Sequence, residues 1–295
     1  MGILEGKNIL VAGVTLDTSI GFHVAKIAQA EGATVIVSNF GRAMSLTGRV
    51  IKKLDPVPPL LEVDVTNDDH LAGLADQLRA HVDRLDGVVH SLAFANPETA
   101  LGGKFLSTPW SDVATALQVS AFSLASLTMA CKPLLAESSS VVGLTFDATV
   151  SWPVYDWMGV SKSALESTSR YLARYLGPDG VRVNLVAAGP LETLAKKAIG
   201  GADEFNQVWG SRAPIGWDPK DMTPAASTGS DISASRSSVT LAAGRGKYRL
   251  GPSSNRSSTR DFGGGWGSIR AVRRRSSAVR RRRGSSRRWS WGRSR

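Results

Sequence analysis

The sequence has a single cysteine, Cys131, among its 295 residues, so a framework of disulfide bonds is excluded. Cys131 lies in the apolar run MACKPLLA, where we expect a buried thiol. No run of about 18 uninterrupted apolar residues is present, and the N-terminus lacks a basic stretch followed by an apolar one. These absences predict a soluble, cytoplasmic protein without a membrane span.

Common signatures for phosphate and metal binding are also missing. The chain has neither the G-x-G-x-x-G spacing of many dinucleotide sites nor the Gly-Lys-Ser/Thr of a P-loop. Its four histidines are scattered, without the paired spacing of metal ligands: His23, His70, His81 and His90. We therefore expect no metal site and give the histidines surface or core roles.

Positive charge is distributed unevenly along the chain. The net charge is +11, but residues 225–295 contain 17 Arg and one Lys against two Asp, a local net charge of +16. The first 224 residues therefore carry −5. The high isoelectric point belongs to the C-terminal segment alone and says nothing about partners of the preceding region.

Up to about Pro224, short β-branched runs alternate with amphipathic segments such as FHVAKIAQAEG. Such alternation is typical of a parallel sheet covered by helices on both faces. The runs that we interpret as strands are NILVAG, ATVIVSN, LLEVDVT, GVVHSLAF, SVVGLTF and VRVNLVAA. Residues 1–224 are thus predicted to form an α/β domain with a doubly wound, six-stranded parallel sheet of Rossmann type.

Beyond Pro224 this periodicity stops. Residues 225–295 contain 17 Ser and 10 Gly beside their arginines, with runs such as VRRRSSAVRRRRGSSRRW. Large apolar residues are too sparse there to offset the entropy lost on ordering the chain. We expect a disordered, low-complexity tail.

The first strand leads into a loop suited to phosphate. Gly13 closes that strand, and VTLDTSIG brings Ser19 and Ile20 to the start of the first helix. Glycine permits close approach, and the N–H groups at the positive end of a helix can face a pyrophosphate. An ordinary strand-to-helix turn would have the same composition, so this signal is weak alone.

Ligands of open α/β sheets bind outside the carboxyl ends of the strands. Phe40 follows the second strand, where its ring could stack on adenine or pack in the core. Asp64 and Val65 end the third, where they could pair with the adenine edge, although Asp64 could instead cap a helix. Thr193, after the sixth, could reach phosphate or carboxamide. The second strand has no acidic residue at its tip to bind the ribose hydroxyls of NADH, and Arg42 could meet the 2′-phosphate of NADPH. These residues therefore do not decide between the two cofactors.

The stretch YDWMGVSK sets Tyr155 and Lys162 seven residues apart near the start of a predicted helix. On a continuous helix such residues lie about 20° apart in azimuth and about 10 Å apart along the axis. They share a face without touching, so each can meet a different part of one extended ligand. With a nicotinamide nucleotide, the ammonium could hold ribose hydroxyls while the phenol addresses a substrate oxygen. Chance could also place a Tyr and a Lys on one helix.

The motifs together resemble the short-chain dehydrogenase/reductase superfamily. Its usual pair is Tyr-x3-Lys, whereas Tyr-x6-Lys is the spacing of the enoyl-acyl carrier protein reductase branch. Similarity to the NADH-dependent long-chain reductases of mycolic acid synthesis covers residues 1–224 and rests on GVTLDTSIGFHVAKIAQ, LLEVDVTNDDHL, LDGVVHSLAFA, YDWMGVSKSALES, VRVNLVAAGPLETLA and RAPIGWDPKDMTP.

This resemblance implies NADH-dependent reduction of the trans-2 double bond of enoyl thioesters, carried on acyl carrier protein or CoA, in type II fatty acid or mycolic acid elongation. It also implies a homo-oligomer, a tetramer in the family. It assigns Tyr155 to the thioester carbonyl, Lys162 to the nicotinamide ribose and Phe146 to the hydride path. The cofactor residues that it implies are Gly13, Ser19, Ile20, Phe40, Asp64, Val65, Ala93, Lys162, Leu191 and Thr193.

The chain departs from the family at three places. Ala93 stands where we expect Gly, and its methyl group would crowd the cofactor. Residues 194–217 correspond to a helical lid over the acyl chain, but the segment is shorter and more polar than in the long-chain enzymes. After Pro224 we find no counterpart of the family's seventh strand, so we expect the basic tail to replace it.

Two explanations of the tail remain open. An evolved basic arm would bind nucleic acid through phosphates, with Trp266, Trp289 and Trp291 stacking on bases. Alternatively, the ratio of 17 Arg to one Lys indicates a shifted reading frame in a GC-rich gene. Two other functions are also open: a carbonyl-reducing member of the superfamily, and a catalytically inactive protein that binds nucleic acid through its tail.

Overall fold

The computed structural model describes residues 2–199, 207, 209–211, 213, 217–230 and 239–241. Its strands are β1 (Asn8–Ala12), β2 (Thr34–Asn39), β3 (Leu60–Glu62), β4 (Leu85–His90), β5 (Leu135–Thr145), β6 (Arg182–Ala187) and β7 (Val239–Leu241). They form one sheet in the order β3-β2-β1-β4-β5-β6-β7. All neighbouring strands are parallel. The doubly wound α/β prediction, including its six strands, is confirmed.

Helices connect these strands. They are α1 (Ile20–Ala30), α2 (Ala43–Val50), α3 (Asp68–Arg79), α4 (Trp110–Leu117), α5 (Ser123–Cys131), α6 (Asp156–Leu176), α7 (Leu194–Lys197) and α8 (Thr223–Ser230). A π-helical turn, Gln118–Phe122, joins α4 to α5. Short 3₁₀ turns lie at Ile51–Lys53, Phe105–Ser107, Lys132–Leu134 and Gly177–Asp179. The longest helix, α6, carries the YDWMGVSK motif near its start.

The central strands are buried on both faces. Along β1, Ile9 and Val11 pack in a cluster with α1, whereas Leu10 and Ala12 pack in a second cluster with α3, α5 and α6. Successive side chains of a strand point to opposite faces, so an unbroken apolar run fits a sheet that is covered twice. This burial explains why the β-branched runs predict the strands well.

The chain changes winding direction between β1 and β4, which are neighbours at the centre of the sheet. The loops that follow these two strands touch. Ser91 N donates to Ala12 O at 2.9 Å, and Gly13 has a φ of +94°. A Cβ at Gly13 would lie 2.3 Å from the carbonyl oxygen of Ser91. Only glycine therefore lets both loops share this crevice.

Regular structure continues past Pro224. Helix α8 crosses that position, and Ala225 and Ala226 are buried. Val239, Thr240 and Leu241 pair with Leu185, Val186 and Ala187 of β6, adding a seventh strand. The sequence analysis did not identify this strand, because three residues are too few to produce a periodic pattern. The arginine-rich runs lie outside the described residues.

One segment of the described chain, Trp110–Leu134, is long and apolar enough to cross a membrane. It comprises α4, the π-helical turn, α5 and the following 3₁₀ turn. Leu124, Leu127 and Cys131 of this segment are buried in the core cluster beneath the sheet. Core helices commonly have this composition, so the segment is weak evidence for a membrane span. Burial raises the pKa of Cys131 to about 12, and the expectation of a buried thiol is confirmed.

Substitution of Gly13 tests the contact between the two loops. We expect Gly13→Ala to lower the free energy of unfolding by about 2–4 kcal/mol, because the methyl group overlaps Ser91 and the positive φ disfavours a side chain. Urea unfolding of the purified chain measures this change. Gly6→Ala is the matched control: φ is +69°, but nothing lies within 4 Å of the added Cβ. Its cost should be about 1 kcal/mol, and equal costs at both positions would contradict the overlap.

Candidate active site

A cavity of 470 Å³ lies at the carboxyl edge of the sheet, beyond β1, β4, β5 and β6. This volume is typical of a small-molecule site. Nine of the residues predicted for catalysis or cofactor binding line it: Gly13, Ser19, Ile20, Ala93, Phe146, Tyr155, Lys162, Leu191 and Thr193. Residues far apart in the sequence are thus brought to one site by the ends of four parallel strands and the helices after them.

Lys162 forms the floor of this cavity. Its side chain extends from α6 toward β5, where Nζ donates to the carbonyl oxygen of Leu144 at 2.8 Å. The residue is 6% exposed, and this burial lowers its pKa from 10.5 to about 8. An ammonium group has three donors, so donors remain for a ligand in the cavity.

Tyr155 lies immediately before α6, and its carbonyl oxygen accepts from Met158 N at 3.0 Å. The phenol is buried in the cavity wall, and this burial raises its pKa above the usual value. A phenol with a raised pKa stays protonated at neutral pH and can donate a hydrogen bond. The ring of Phe146 meets that of Tyr155 edge-on, with 5.3 Å between centroids.

Two tryptophans extend this aromatic contact. Trp209 stacks on Phe146 with 5.5 Å between centroids, and Trp152 lies 5.0 Å from Trp209 and 5.6 Å from Phe146. Trp209 comes from the segment 194–217 that we interpret as a lid. Much of that lid, including residues 200–206, lies outside the described residues. The sequence analysis missed both tryptophans, because neither belongs to a strand pattern or a recognised motif.

The start of α1 faces the same cavity. Ser19 caps this helix: Oγ accepts from Phe22 N at 3.4 Å and donates to Leu16 O at 2.5 Å. A Cβ at Gly21 would lie 3.2 Å from Ser91 Oγ, so the helix begins close against the loop after β4. The first turn of a helix exposes N–H groups that favour an anion. This end of the cavity can therefore hold a pyrophosphate.

Three predicted cofactor residues do not line the cavity: Phe40, Asp64 and Val65. They follow β2 and β3, at the same edge of the sheet but farther from α6. Phe40 is 39% exposed and is not a core aromatic. Asp64 accepts from Thr66 N at 2.9 Å, while Asn67 caps α3. The two structural roles considered for Phe40 and Asp64, core packing and helix capping, are thus both wrong.

A family profile described as "Enoyl-(Acyl carrier protein) reductase" matches residues 13–228 of this chain. The chain belongs to this reductase family. It is 46% identical over 241 residues to the enoyl-[acyl-carrier-protein] reductase [NADH] of Mycolicibacterium smegmatis, which covers 77% of this chain and 89% of that relative. The corresponding enzyme of Mycobacterium avium is 44% identical, with the same coverage. The [NADPH] enzyme of Staphylococcus aureus is 34% identical over 215 residues, covering 72% of this chain and 84% of that relative.

This member of the family carries an ion pair in its cavity wall. Lys196 is 8% exposed, and its Nζ lies 2.5 Å from Glu192 Oε1. Thr193 caps the same short helix, α7, by accepting from Lys196 N at 3.2 Å. We did not predict the pair, although Glu and Lys four residues apart are a recognisable helical pattern. The ion pair places the ammonium of Lys196, balanced by the carboxylate of Glu192, at a cavity whose lining is otherwise mostly apolar.

The lowered pKa of Lys162 predicts a pH-dependent stability. Between pH 8 and 10.5 the unfolded chain binds this proton more often than the folded chain, so the contribution of Lys162 to the free energy of unfolding rises with pH. Lys162→Met removes the buried charge. We expect the variant to gain stability relative to the natural chain at pH 7, and this gain to shrink by about 1–3 kcal/mol by pH 10.

Urea unfolding at pH 7, 8.5 and 10 measures the difference. Lys132→Met is the control, because Lys132 lies outside the cavity with a half-exposed side chain paired to Asp179. A gain that stays constant with pH, or one that changes equally in the control, would contradict the burial of a charged Lys162.

Proposed function

We propose that this chain is an NADH-dependent reductase of the trans-2 double bond of enoyl thioesters, carried on acyl carrier protein or CoA. The observation that carries the proposal is the convergence of Tyr155, Lys162 and Phe146 on one cavity that also receives Gly13 and Ser19. The membership in the enoyl-(acyl carrier protein) reductase family supports it. Type II fatty acid or mycolic acid elongation is the corresponding pathway.

The residues present fit a nicotinamide dinucleotide. Gly13 and Gly21 let the loop after β1 and the start of α1 lie close against the loop after β4, and the start of α1 offers donors to a pyrophosphate. Lys162 offers its ammonium to ribose hydroxyls. Phe40 and Asp64 lie beyond the cavity, in the direction of β2 and β3, where the adenine end would extend. Ala93 is exposed and lines the cavity.

NADH is the proposed cofactor, in preference to NADPH. The two mycobacterial relatives are both named as [NADH] enzymes and are more similar to this chain than the [NADPH] enzyme of S. aureus.

The roles of the side chains follow from where charge develops. Bound NADH supplies the hydride that adds to the β-carbon of the enoyl group. As that carbon accepts hydride, electron density moves to the thioester oxygen to give an enolate, and a proton that comes ultimately from solvent then adds at the α-carbon. Tyr155, held protonated by burial, donates to that oxygen. Phe146 and the tryptophans beside it keep water from the reacting carbons.

The spacing of the pair argues against a carbonyl reductase. In that class the usual pair is Tyr-x3-Lys, whereas this chain has Tyr-x6-Lys and an aromatic ring against the phenol. The additional residues let Tyr155 lie before α6 while Lys162 lies within it.

A homo-oligomer is proposed from exposed aromatic side chains on α4, on the π-helical turn and on α6, together with the membership in the family. Trp110 and Phe122 are 73% and 61% exposed, and Tyr171 and Tyr175 are 62% and 71% exposed. Surfaces of this kind mark protein contacts. A second copy of the chain is the partner that the family implies, and a cytoplasmic location suits a substrate carried on acyl carrier protein.

Nucleic-acid binding by the tail is a second candidate function, favoured by the 17 Arg and one Lys of residues 225–295. If the segment binds phosphates, affinity of the full chain for a DNA duplex should fall steeply between 50 and 200 mM salt, by about 10³-fold or more. Replacing the seven arginines of residues 273–275 and 280–283 by glutamine should flatten that dependence. An intact mass matching 295 residues in native cells, together with a confirmed gene sequence, would exclude the shifted reading frame.

Two substitutions test the catalytic roles. We expect Tyr155→Phe to lower turnover about 10²–10³-fold, since one donor to the developing oxyanion is lost, with little change in NADH affinity. Lys162→Ala should weaken NADH binding, because it removes the donor to the ribose. Steady-state oxidation of NADH with a medium-length trans-2-enoyl thioester and fluorescence titration of NADH give both quantities. Natural turnover in Tyr155→Phe would refute its role.

A further inference from the structure

The backbone on each side of Tyr155 has an unusual conformation. Val154 has a φ of +59° and Asp156 a φ of +44°, which places both residues in the left-handed region. A β-branched residue is a genuine outlier there, whereas Asp and Asn tolerate it better than other side chains. Such a turn persists only when surrounding contacts determine it, and these outliers cluster at functional sites.

The contacts that determine this turn come from residues 100–105. Gly102 N donates to Val154 O at 2.9 Å. Gly103 N and Lys104 N both donate to Asp156 Oδ2, at 2.7 and 2.9 Å. Gly102 and Gly103 have φ values of +75° and +84°, which let two consecutive N–H groups converge on the same turn.

Trp157 makes two further hydrogen bonds to residues 100–105. Its backbone N donates to Ala100 O at 3.3 Å, and its indole Nε1 donates to Phe105 O at 3.0 Å. Its ring stacks on Phe105 with 4.8 Å between centroids. Between these attachments, Leu101 is buried in a cluster with Tyr155 and lines the cavity beside it. Residues 100–105 therefore stabilise the part of the cavity wall that contains Tyr155.

We propose that Asp156 is a positioning residue for Tyr155. Its carboxylate holds residues 103 and 104 against the turn, and this attachment fixes the direction in which the phenol points into the cavity. Asp156 does not line the cavity. It acts on the reaction only through Tyr155, so the inference rests on the role proposed for that residue.

Three substitutions separate the two properties of Asp156. Asp156→Asn keeps an oxygen acceptor and tolerates the left-handed backbone, Asp156→Gly keeps only the backbone, and Asp156→Ala keeps neither. We expect turnover to fall about tenfold to hundredfold in the Gly and Ala variants, since small displacements of a catalytic group have effects of this size. Asp156→Asn should restore turnover to within about threefold of the natural chain.

The Michaelis constant for the enoyl thioester and the affinity for NADH should change less than about threefold in all three variants, because Asp156 does not line the cavity. Asp179→Gly removes an acidic residue beyond the other end of α6, where it pairs with Lys132, and is the matched control. It should leave turnover unchanged.

A double variant tests the route of the effect. If Asp156 acts through the phenol, adding Asp156→Gly to Tyr155→Phe should cause no further loss of turnover. Additive losses would overturn the inference, as would natural turnover in Asp156→Gly or a loss of NADH affinity in parallel with turnover. Natural turnover in Tyr155→Phe alone would instead refute the proposed role of Tyr155.

Gly103→Ala alters the other member of the hydrogen bond between Gly103 N and Asp156 Oδ2. This variant tests the inference even if Asp156→Gly fails to fold. Nothing lies within 4 Å of the added Cβ, so only the positive φ disfavours the change. We expect the same selective loss of turnover, again without addition to Tyr155→Phe. An unchanged turnover in a folded Gly103→Ala protein, or a loss that adds to that of Tyr155→Phe, would overturn the inference.

Discussion

The active cavity is organised by the burial of one positive charge. The ammonium of Lys162 is withdrawn from water and accepted by the carbonyl oxygen of Leu144, near the end of β5. A buried ammonium without such a partner would cost several kcal/mol. The hydrogen bond therefore sets the position of α6 against the sheet, and with it the position of Tyr155 before the helix. His90, fully buried at the end of β4, has a pKa lowered to about 3 by burial and by the charge of Lys162. It stays neutral and adds no further positive charge beside Lys162.

The sequence predicts those parts of the fold that depend on repetition along the chain. The β1 run reads as a strand because both faces are buried, and Ser19 reads as the start of a helix because its side chain accepts a backbone N–H. The Tyr-x6-Lys pair follows from a motif. Each of these signals lies within a few residues of sequence, so no knowledge of the tertiary structure is required to find it.

Other parts could not be predicted, because they depend on contacts between distant residues. Trp209 reaches Phe146 across 63 positions of the chain, and nothing in its neighbours marks it as part of the site. The left-handed backbone at Val154 contradicts the preference of a β-branched residue and exists only because residues 100–105 hold it. Strand β7 is stabilised by its edge pairing with β6 rather than by a pattern of its own. Local reasoning fails where tertiary contacts override local preference.

The two ends of the cavity differ in the size of the side chains that surround them. The end near α1 requires glycines and exposed backbone donors, so its shape is set by the absence of side chains at Gly13 and Gly21. The end near Tyr155 is lined by the ring of Phe146, against which Trp152 and Trp209 pack. A strained turn between Val154 and Asp156 is tolerable at the second end because close packing and a braced loop surround it. Tyr155 therefore lies in a turn whose conformation is fixed by its hydrogen bonds to residues 100–105.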